Sequence, residues 1–484
     1  RRRGLRAYWI GWSVAPPRFA PGRLWAARLE RGSIVGPDVT FSGRLTSFGD
    51  FDGYRLPGTV LPADLAAPRD IAVLFAFEPG AIGGGLVAAR AASFALPVDL
   101  VERPLVWIGA GDDAASLASL QAWYADGRDA EARADLVMVA GVHATSEAVV
   151  PLLVRWLAAR EPLPVRREAA EWLGRHPDAE GLAALAHAAR RDASPEVRRS
   201  AAEAVGEMQL PAAVDTAIVL ARTLRDADAR REAIEGLGGR DDERARRALV
   251  DIARRDRDTN AQREAVESLG DRGDPEAARL LADLAGDLPS REARREAVET
   301  LGRILPPLDV ERVLPELLRR EPDPGVQRQI VETLGQELEP EPAARLLREL
   351  VRTAPSTDAQ RQAVESLGRL DTTLDPGVFL EVVRSHPQLD VRREAVETLA
   401  RSADGEARVV DLLKDIALRD AEPDVQRAAI ESLVDLPGGA GIAAVIDVAR
   451  SHPDRDARRT ALEALLDSDD PRAQKLFERA LEEK

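Results

Sequence analysis

The chain has 484 residues, enough for about three domains of ordinary size. It contains no cysteine, which excludes disulfides, thiolate nucleophiles and any zinc or iron–sulfur site built on Cys. Hydrophobic residues make up 45% and charged residues 31%, so this is no disordered tail, and no apolar run approaches the roughly 18 residues of a membrane-spanning helix.

Charge and aromatics divide the chain in two. Residues 1–111 hold 13 Arg and 9 acidic residues, a balance of +4, so the remainder carries −20 of the total −16. Of 19 aromatic residues, 17 lie at or before Trp172, and only Phe379 and Phe477 follow. Three Lys against 64 Arg, with a single Asn, mark GC-rich codon usage.

The chain opens on Arg1-Arg2-Arg3. Arg1–Arg6 followed by Ala7–Ala15 resembles a signal peptide, but the apolar part is short and rich in Trp, and Pro16 would follow the cleavage point. We therefore expect a mature chain whose signal has already been removed. Residues 1–111 read as a β-rich domain. Leu5–Val14, Ile71–Phe77, Leu86–Ser93 and Pro104–Ile108 are β-compatible and separated by Pro and Gly clusters. A small β-sandwich or a partly open sheet covering the first helices is expected. Gly80–Gly85 lacks the Lys-Ser/Thr of a phosphate loop and reads as a hairpin turn. Trp107, Trp123, Trp156 and Trp172 straddle the junction. They read as a buried seam, with an exposed aromatic hot spot as the sharper alternative.

From residue 112 the pattern becomes helical and repetitive, giving a solenoid over 112–484. Residues 112–143 form a degenerate first unit, with Met138 near the place where later units carry Glu. Its apolar surroundings predict that its neighbour is the N-terminal domain. Ten units follow over 144–468. The phrase Arg-x-Ala-Val-Glu-x-Leu-Gly recurs with its second Glu-type position at Glu171, Glu203, Glu235, Glu267, Glu299, Glu332, Glu365, Glu397, Glu431 and Glu463. The spacings run from 32 to 34 residues, which is the signature of a repeat architecture.

Each unit reads as two helices. Asp274-Pro275 supplies an N-cap and a Pro at the first helical position. Leu280, Leu281 and Leu284 mark an apolar stripe, Pro289 breaks the chain, and Ser290 caps the second helix. Ala293, Ala297, Val298 and Leu301 then share one face, and Gly302 offers a left-handed stop. Two short helices cannot bury such a stripe alone, whereas stacked copies can. Residues 469–484, from Asp470-Pro471 onward, read as a polar capping helix.

The phrase Val-Arg-Arg-Glu-Ala-Val-Glu-Thr-Leu at 391–399 resembles bacterial HEAT repeats, in particular the phycobilisome-lyase-like subclass. The resemblance covers about three quarters of the chain and implies a fold far more than a function. Some bacterial HEAT-repeat proteins with a β-rich front are exported, so the resemblance also implies an exported chain, periplasmic or extracellular, with the cytoplasm as the alternative. It also implies a structural inter-repeat ladder from the Arg that follows Val in the family, a position held here by Arg166, Arg198, Arg230, Arg294, Arg392 and Arg458, with Ala229, Ala293 and Ala457 in place of the Val in three of them. Gln262, Gln327, Gln360 and Gln426 replace that Arg elsewhere, so the ladder should be less continuous. The family's Asp before this helix is matched by Asp226, Asp258, Asp323 and Asp454, with Ser194, Ser290 and Ser356 as substitutes.

Catalytic chemistry finds no foothold. The five His (His143, His176, His187, His386 and His452) share no metal-ligand spacing. No His-Glu dipeptide occurs, although HEAT-type di-iron hydroxylases carry such dipeptides. There is no Gly-x-Ser-x-Gly elbow. No cofactor, metal or catalytic residue is expected. One constellation recurs in every unit: Arg followed four residues later by Glu. Its candidate partner-binding stripe is Arg231/Glu235, Arg263/Glu267, Arg295/Glu299, Arg328/Glu332, Arg361/Glu365 and Arg393/Glu397. At 100° per residue both members lie opposite the apolar stripe. In HEAT solenoids the second helix lines the concave side, so the resemblance implies a mixed-charge concave surface.

The expected function is therefore a non-catalytic scaffold or adaptor that docks a protein partner. A phycobilin-lyase-like enzyme subunit is the first alternative, though no bilin pocket is marked. Nucleic-acid binding ranks last, because a solenoid at −20 with Arg and Glu interleaved repels phosphates.

Overall fold

A computed structural model describes residues 7–15, 26–27, 35–36, 39–40, 71–78, 85–93, 105–127, 129–144, 146–370, 375–401, 407–468 and 470–474. The chain divides into two compact units, residues 1–252 and 253–484.

The first unit begins with strands β1 (Tyr8–Val14), β2 (Ala26–Ala27), β3 (Val35–Gly36), β4 (Val39–Thr40), β5 (Ile71–Phe77), β6 (Leu86–Ser93) and β7 (Leu105–Ala110). Five of them form one sheet in the order β2-β6-β5-β1-β7, and β3 pairs only with β4. The open-sheet expectation therefore holds, and among the described residues there is no second layer of a sandwich. β5 pairs antiparallel with β1 and β6, while β7 runs parallel to β1. All seven residues of β5 are buried, as its unbroken apolar run requires of a central strand covered on both faces. β5 and β6 are adjacent antiparallel strands, and of the expected hairpin turn at Gly80–Gly85 only Gly85 lies within the described residues. Glu78 N donates to Gly85 O at 2.6 Å, and Gly85 takes φ +88°, which glycine alone adopts readily.

Helices follow in hairpins: α1 (Asp113–Asp126) with α2 (Ala130–Gly141), α3 (Ser146–Trp156) with α4 (Leu163–Arg175), α5 (Ala179–Arg191) with α6 (Pro195–Glu207), and α7 (Pro211–Thr223) with α8 (Ala227–Gly238). α9 (Glu243–Arg255) carries the division between the units. Each second helix packs on the next, α2 on α4, α4 on α6 and α6 on α8, which is the α-solenoid arrangement.

The seam between sheet and helices is aromatic. Trp123 of α1 stacks near Phe75 and Phe77, with ring centroids 4.8 and 5.3 Å away, and lies 6.0 Å from Trp12. Trp12 Nε1 donates to Ser116 Oγ at 3.0 Å, and Ala89 N donates to Asp135 Oδ2 at 3.2 Å. Met138 is buried, and α2 packs on β6, so the degenerate unit does face the sheet. Trp156 and Trp172 are buried further along the helices, whereas Trp107 on β7 stays 38% exposed.

The second unit continues with α10 (Thr259–Gly270), α11 (Pro275–Ala285), α12 (Arg291–Ile304), α13 (Pro307–Arg320), α14 (Pro324–Glu337), α15 (Pro340–Thr353), α16 (Thr357–Arg369), α17 (Gly377–Ser385), α18 (Leu389–Arg401), α19 (Ala407–Arg419), α20 (Pro423–Val434), α21 (Ile442–Ser451) and α22 (Arg455–Leu466). The even-numbered helices again pack in series from α10 to α22. Asp274 and Ser290 cap α11 and α12 by accepting from Ala277 N and Ala293 N. Leu281, Leu284, Ala293, Ala297, Val298 and Leu301 are buried, and Leu280 is half-buried. Residues 471–474 begin a helical turn after Asp470, and the rest of the expected capping helix lies outside the described residues.

Gly302 corrects the sequence expectation. It is no left-handed stop but an interior residue of α12, which runs on to Ile304. A methyl there would overlap Thr333 Cγ2 of α14. The same close approach recurs where Gly335 meets Ser366 and Gly368 meets Thr398, and in the first unit where Gly174 meets Ala204 and Gly206 meets Gly236. Even the degenerate unit keeps it, with Gly141 beneath the ring of Trp172. Glycine closes seven of the ten repeat phrases, with Ala400, Val434 and Leu466 in the last three, and the next second helix lies against Gly174, Gly206, Gly270, Gly302, Gly335 and Gly368.

Candidate partner-binding face

The stripe faces solvent, as its helical position requires. Arg231, Glu235, Arg263, Glu267, Glu299, Arg328, Arg361, Arg393 and Glu397 are exposed, and Arg295, Glu332 and Glu365 are half-buried. Arg231/Glu235 belong to the first unit and the other five pairs to the second.

The expected pairing within each helix is largely absent. Of the six stripe pairs, only Arg231–Glu235 forms it, at 3.7 Å. In three of the other five the Arg reaches a different acceptor, on the next second helix and three residues before its stripe Glu, while Arg328 makes no side-chain bond among the described residues and Arg393 lies 3.9 Å from Asp390 of its own helix. Arg263 binds Glu296 at 3.0 Å, Arg361 binds Glu394 at 3.0 Å, and Arg295 donates to Gln329 Oε1 at 3.1 Å. Outside the stripe, Arg199 repeats the contact with Glu232 at 3.5 Å. These acceptors are all buried, so they hold the cation more strongly than a solvated Glu can. Sequence order works the same way, since Arg before Glu is the weaker orientation of an i,i+4 pair. The phrase shows a signal for these acceptors in hindsight: Glu232, Glu264, Glu296, Gln329, Gln362 and Glu394 occupy one position.

The ladder from the other Arg is also present and runs to the helix turns. Arg166 pairs with Asp192, Arg294 with Glu321 at 3.0 Å and Arg392 with Asp420 at 2.6 Å, each in the turn of the following hairpin. Arg198 Nε donates to Asp226 at 3.0 Å. Gln preserves part of this. Gln262, Gln327, Gln360 and Gln426 donate to the backbone oxygens of Asp256, Glu321, Ala354 and Asp420, as Arg294 does to Leu288. Replacing Arg by Gln thus retains the backbone bond and loses the inter-repeat ion pair. Asp226, Asp258, Asp323 and Asp454 serve as N-caps, and so do Ser290 and Ser356, while Ser194 makes no side-chain cap bond.

Stacking brings like charges together. Burial, then Glu168, Glu203 and Glu207 against the opposing Arg175, push the Glu171 carboxyl up to about 7. Burial likewise raises Glu203, Glu232 and Glu299. In contrast, Glu267, Glu299 and Glu397 make no hydrogen bond or ion pair among the described residues. Glu332 is tied to Arg369 at 3.8 Å, as Glu365 is to the same Arg.

His187 is exposed on α5, and the other four histidines are buried at packing positions. His176, His386 and His452 end helices, and His176 Nε2 and His386 Nε2 lie 2.8 and 3.0 Å from Gly141 O and Val351 O. His143 is buried between Val139 O and Ser116 Oγ. Among the described residues, no cluster of three or more His, Asp or Glu is placed to hold a metal ion. No described helix is long and apolar enough to cross a membrane.

Repeated helical hairpins joined by polar ladders define a class, and comparison places the chain within it. The HEAT-repeat family model matches residues 150–223, 214–302, 287–368, 344–434, 376–465 and 410–484, so the chain belongs to the HEAT-repeat family. No curated protein matches the sequence. Among solved structures, human deoxyhypusine hydroxylase is 20% identical, with 66% of this chain and 96% of that chain covered and a TM-score of 0.22. The complex of CpcE and CpcF of phycocyanin lyase from Nostoc is 21% identical, with coverage of 54% and 92% and a TM-score of 0.21. Yeast importin-β is 16% identical, with coverage of 73% and 50% and a TM-score of 0.29. These likenesses extend to the fold alone.

Proposed function

We propose that the chain is a non-catalytic scaffold that docks a partner protein on the face made by its second helices. One observation carries this reading. Buried Gly, Glu and Gln rows hold the repeats together, which leaves Glu267, Glu299 and Glu397 exposed with no bond to satisfy. Glu267 and Glu299 on successive second helices, and Glu397 three repeats further on, are unengaged carboxylates available to another molecule. Protein is favoured over nucleic acid because Arg263 and Arg361 are already neutralised by Glu296 and Glu394.

The test is the double charge reversal Glu267→Lys/Glu299→Lys. Both side chains are solvent-facing, so helicity and melting temperature should stay close to wild type. An affinity capture from the native organism, read by mass spectrometry, should then show a protein held by wild type and lost from the variant. Equal retention by both proteins, or no retained protein at all, would sink this reading.

A further inference from the structure

The seam between the sheet and the first helical hairpin is closed by a directed chain of hydrogen bonds. Trp12 Nε1 of β1 donates to Ser116 Oγ of α1 at 3.0 Å. Ser116 Oγ lies 2.8 Å from His143 Nε2, and His143 Nδ1 lies 2.8 Å from Val139 O in the last turn of α2. His143 stands two residues past the end of that helix. Trp12, Ser116 and His143 are all buried, and His143 is 0% exposed.

Only one neutral tautomer of His143 fits this geometry. A carbonyl only accepts, so Nδ1 carries the ring proton and donates to Val139 O. An indole N–H only donates, so the Ser116 oxygen gives one lone pair to Trp12 and turns its own proton to Nε2. A second proton on the ring would make Nε2 a donor and take away the acceptor of the Ser116 hydroxyl. It would also leave a full charge out of reach of water, and both effects are costly.

His176, at the end of α4, repeats the arrangement beside it. Its Nε2 lies 2.8 Å from Gly141 O and its Nδ1 lies 3.1 Å from Ser146 Oγ of α3, so this ring too is held neutral between a carbonyl and a hydroxyl. Among the described residues, the charged or titratable groups that face His143 are Asp113 of α1 and His176 of α4, while β1 presents Trp12 and α2 the carbonyls of Val139 and Ala140. Burial holds the His143 imidazole below its ordinary 6.5, outweighing the Asp113 carboxylate and those two carbonyls. Burial lowers His176 as well, against its bond to Gly141, and His143 adds to the effect.

We propose that His143 is an acid-released latch between the sheet and the first hairpin, whose protonation frees β1 from α1 and α2 and leaves the later hairpins folded. Opening the seam exposes the ring to water, where it takes up a proton near pH 6.5, whereas the closed seam keeps it neutral. Above about pH 7 the ring is neutral in both forms and nothing is lost. As pH falls below about 6.5, the open form gains up to about ten-fold per pH unit. Nearest-neighbour stacking confines the opening to this end of the first unit.

The test measures hydrogen exchange across the full chain at about pH 7.5 and about pH 5.5, with protection corrected for intrinsic exchange rates. In wild type the opening of β1, α1 and α2 should rise at least about ten-fold between the two pH values, and the opening of α8 should not rise. His143→Gln offers Ser116 an acceptor that does not titrate, and should cut that rise by about ten-fold. His187→Gln removes an exposed histidine of α5 and should respond as wild type does. A second measurement needs no variant: NMR of histidine labelled with carbon-13 should show the His143 ring still neutral at about pH 5.5 in the closed protein. Should His143→Gln fail to fold, this titration decides alone. The latch is refuted if acid leaves the seam of wild type closed, or if His143→Gln opens in acid as much as wild type. It is equally refuted if α8 opens in parallel with α1, if His187→Gln abolishes the response, or if the His143 ring titrates near 6.5 in the closed protein.

Discussion

At the scale of single residues, the competition for each arginine decides what the surface presents. A stripe Arg has a solvated Glu four residues on and a buried acceptor on the next helix. It takes the buried one wherever that acceptor is Glu296, Gln329 or Glu394. Stacking has the opposite consequence for Glu171, whose carboxyl is raised from an ordinary 4.5 to about 7, first by burial and then by its acidic neighbours. Between these pH values the unfolded chain releases a proton that the folded chain retains. Glu171 therefore costs no stability below about pH 4.5, an increasing amount as pH rises towards 7, and a constant amount above. Its side chain is 34% exposed, so solvent screening reduces the cost to on the order of 1 kcal/mol. Glu171→Gln should match wild type in thermal unfolding at pH 4 and melt higher at pH 8. A difference that is constant across that range would mean that the carboxyl titrates normally.

At the scale of helices, the packing of Gly302 outweighs its propensity. On helix propensity alone, Gly→Ala in a helix interior gains about 1 kcal/mol. Gly302 instead lies against Thr333 Cγ2, so an added methyl overpacks the contact between α12 and α14, at roughly 1–3 kcal/mol. Gly302→Ala should be destabilising in urea unfolding. Gly302→Ala/Thr333→Ser removes the opposing methyl and keeps the hydroxyl that donates to Gln329 O, and should recover most of the loss. If the single variant is stabilised, the helices do not approach this closely. The caps at Asp274 and Ser290 were readable in the sequence because a cap depends on residues within four positions. The role of Gly302 was not, because its neighbour lies 31 residues away in sequence.

At the scale of the whole molecule, each hairpin touches mainly its neighbours in series, so perturbations should stay local. Leu367 is fully buried in α16, and Leu367→Ala should cost about 2–5 kcal/mol. Hydrogen exchange should accelerate in α14, α16 and α18 and remain unchanged in α2 and α4. Uniform acceleration throughout the chain would mean global two-state unfolding.

The repeat, its two-helix unit, the caps, the apolar stripe and strands β5 and β6 were determined by the sequence alone, because each rests on periodicity or on contacts within a few residues. Tertiary structure decided the rest. It turned a phrase-closing glycine into a packing contact and redirected Arg263, Arg295 and Arg361 of the stripe to buried acceptors. It also placed Trp12 and Trp123 on one seam. The reason is one of distance: these contacts join residues about 30 or more positions apart. Their energies depend on burial, which no local pattern of residue types specifies.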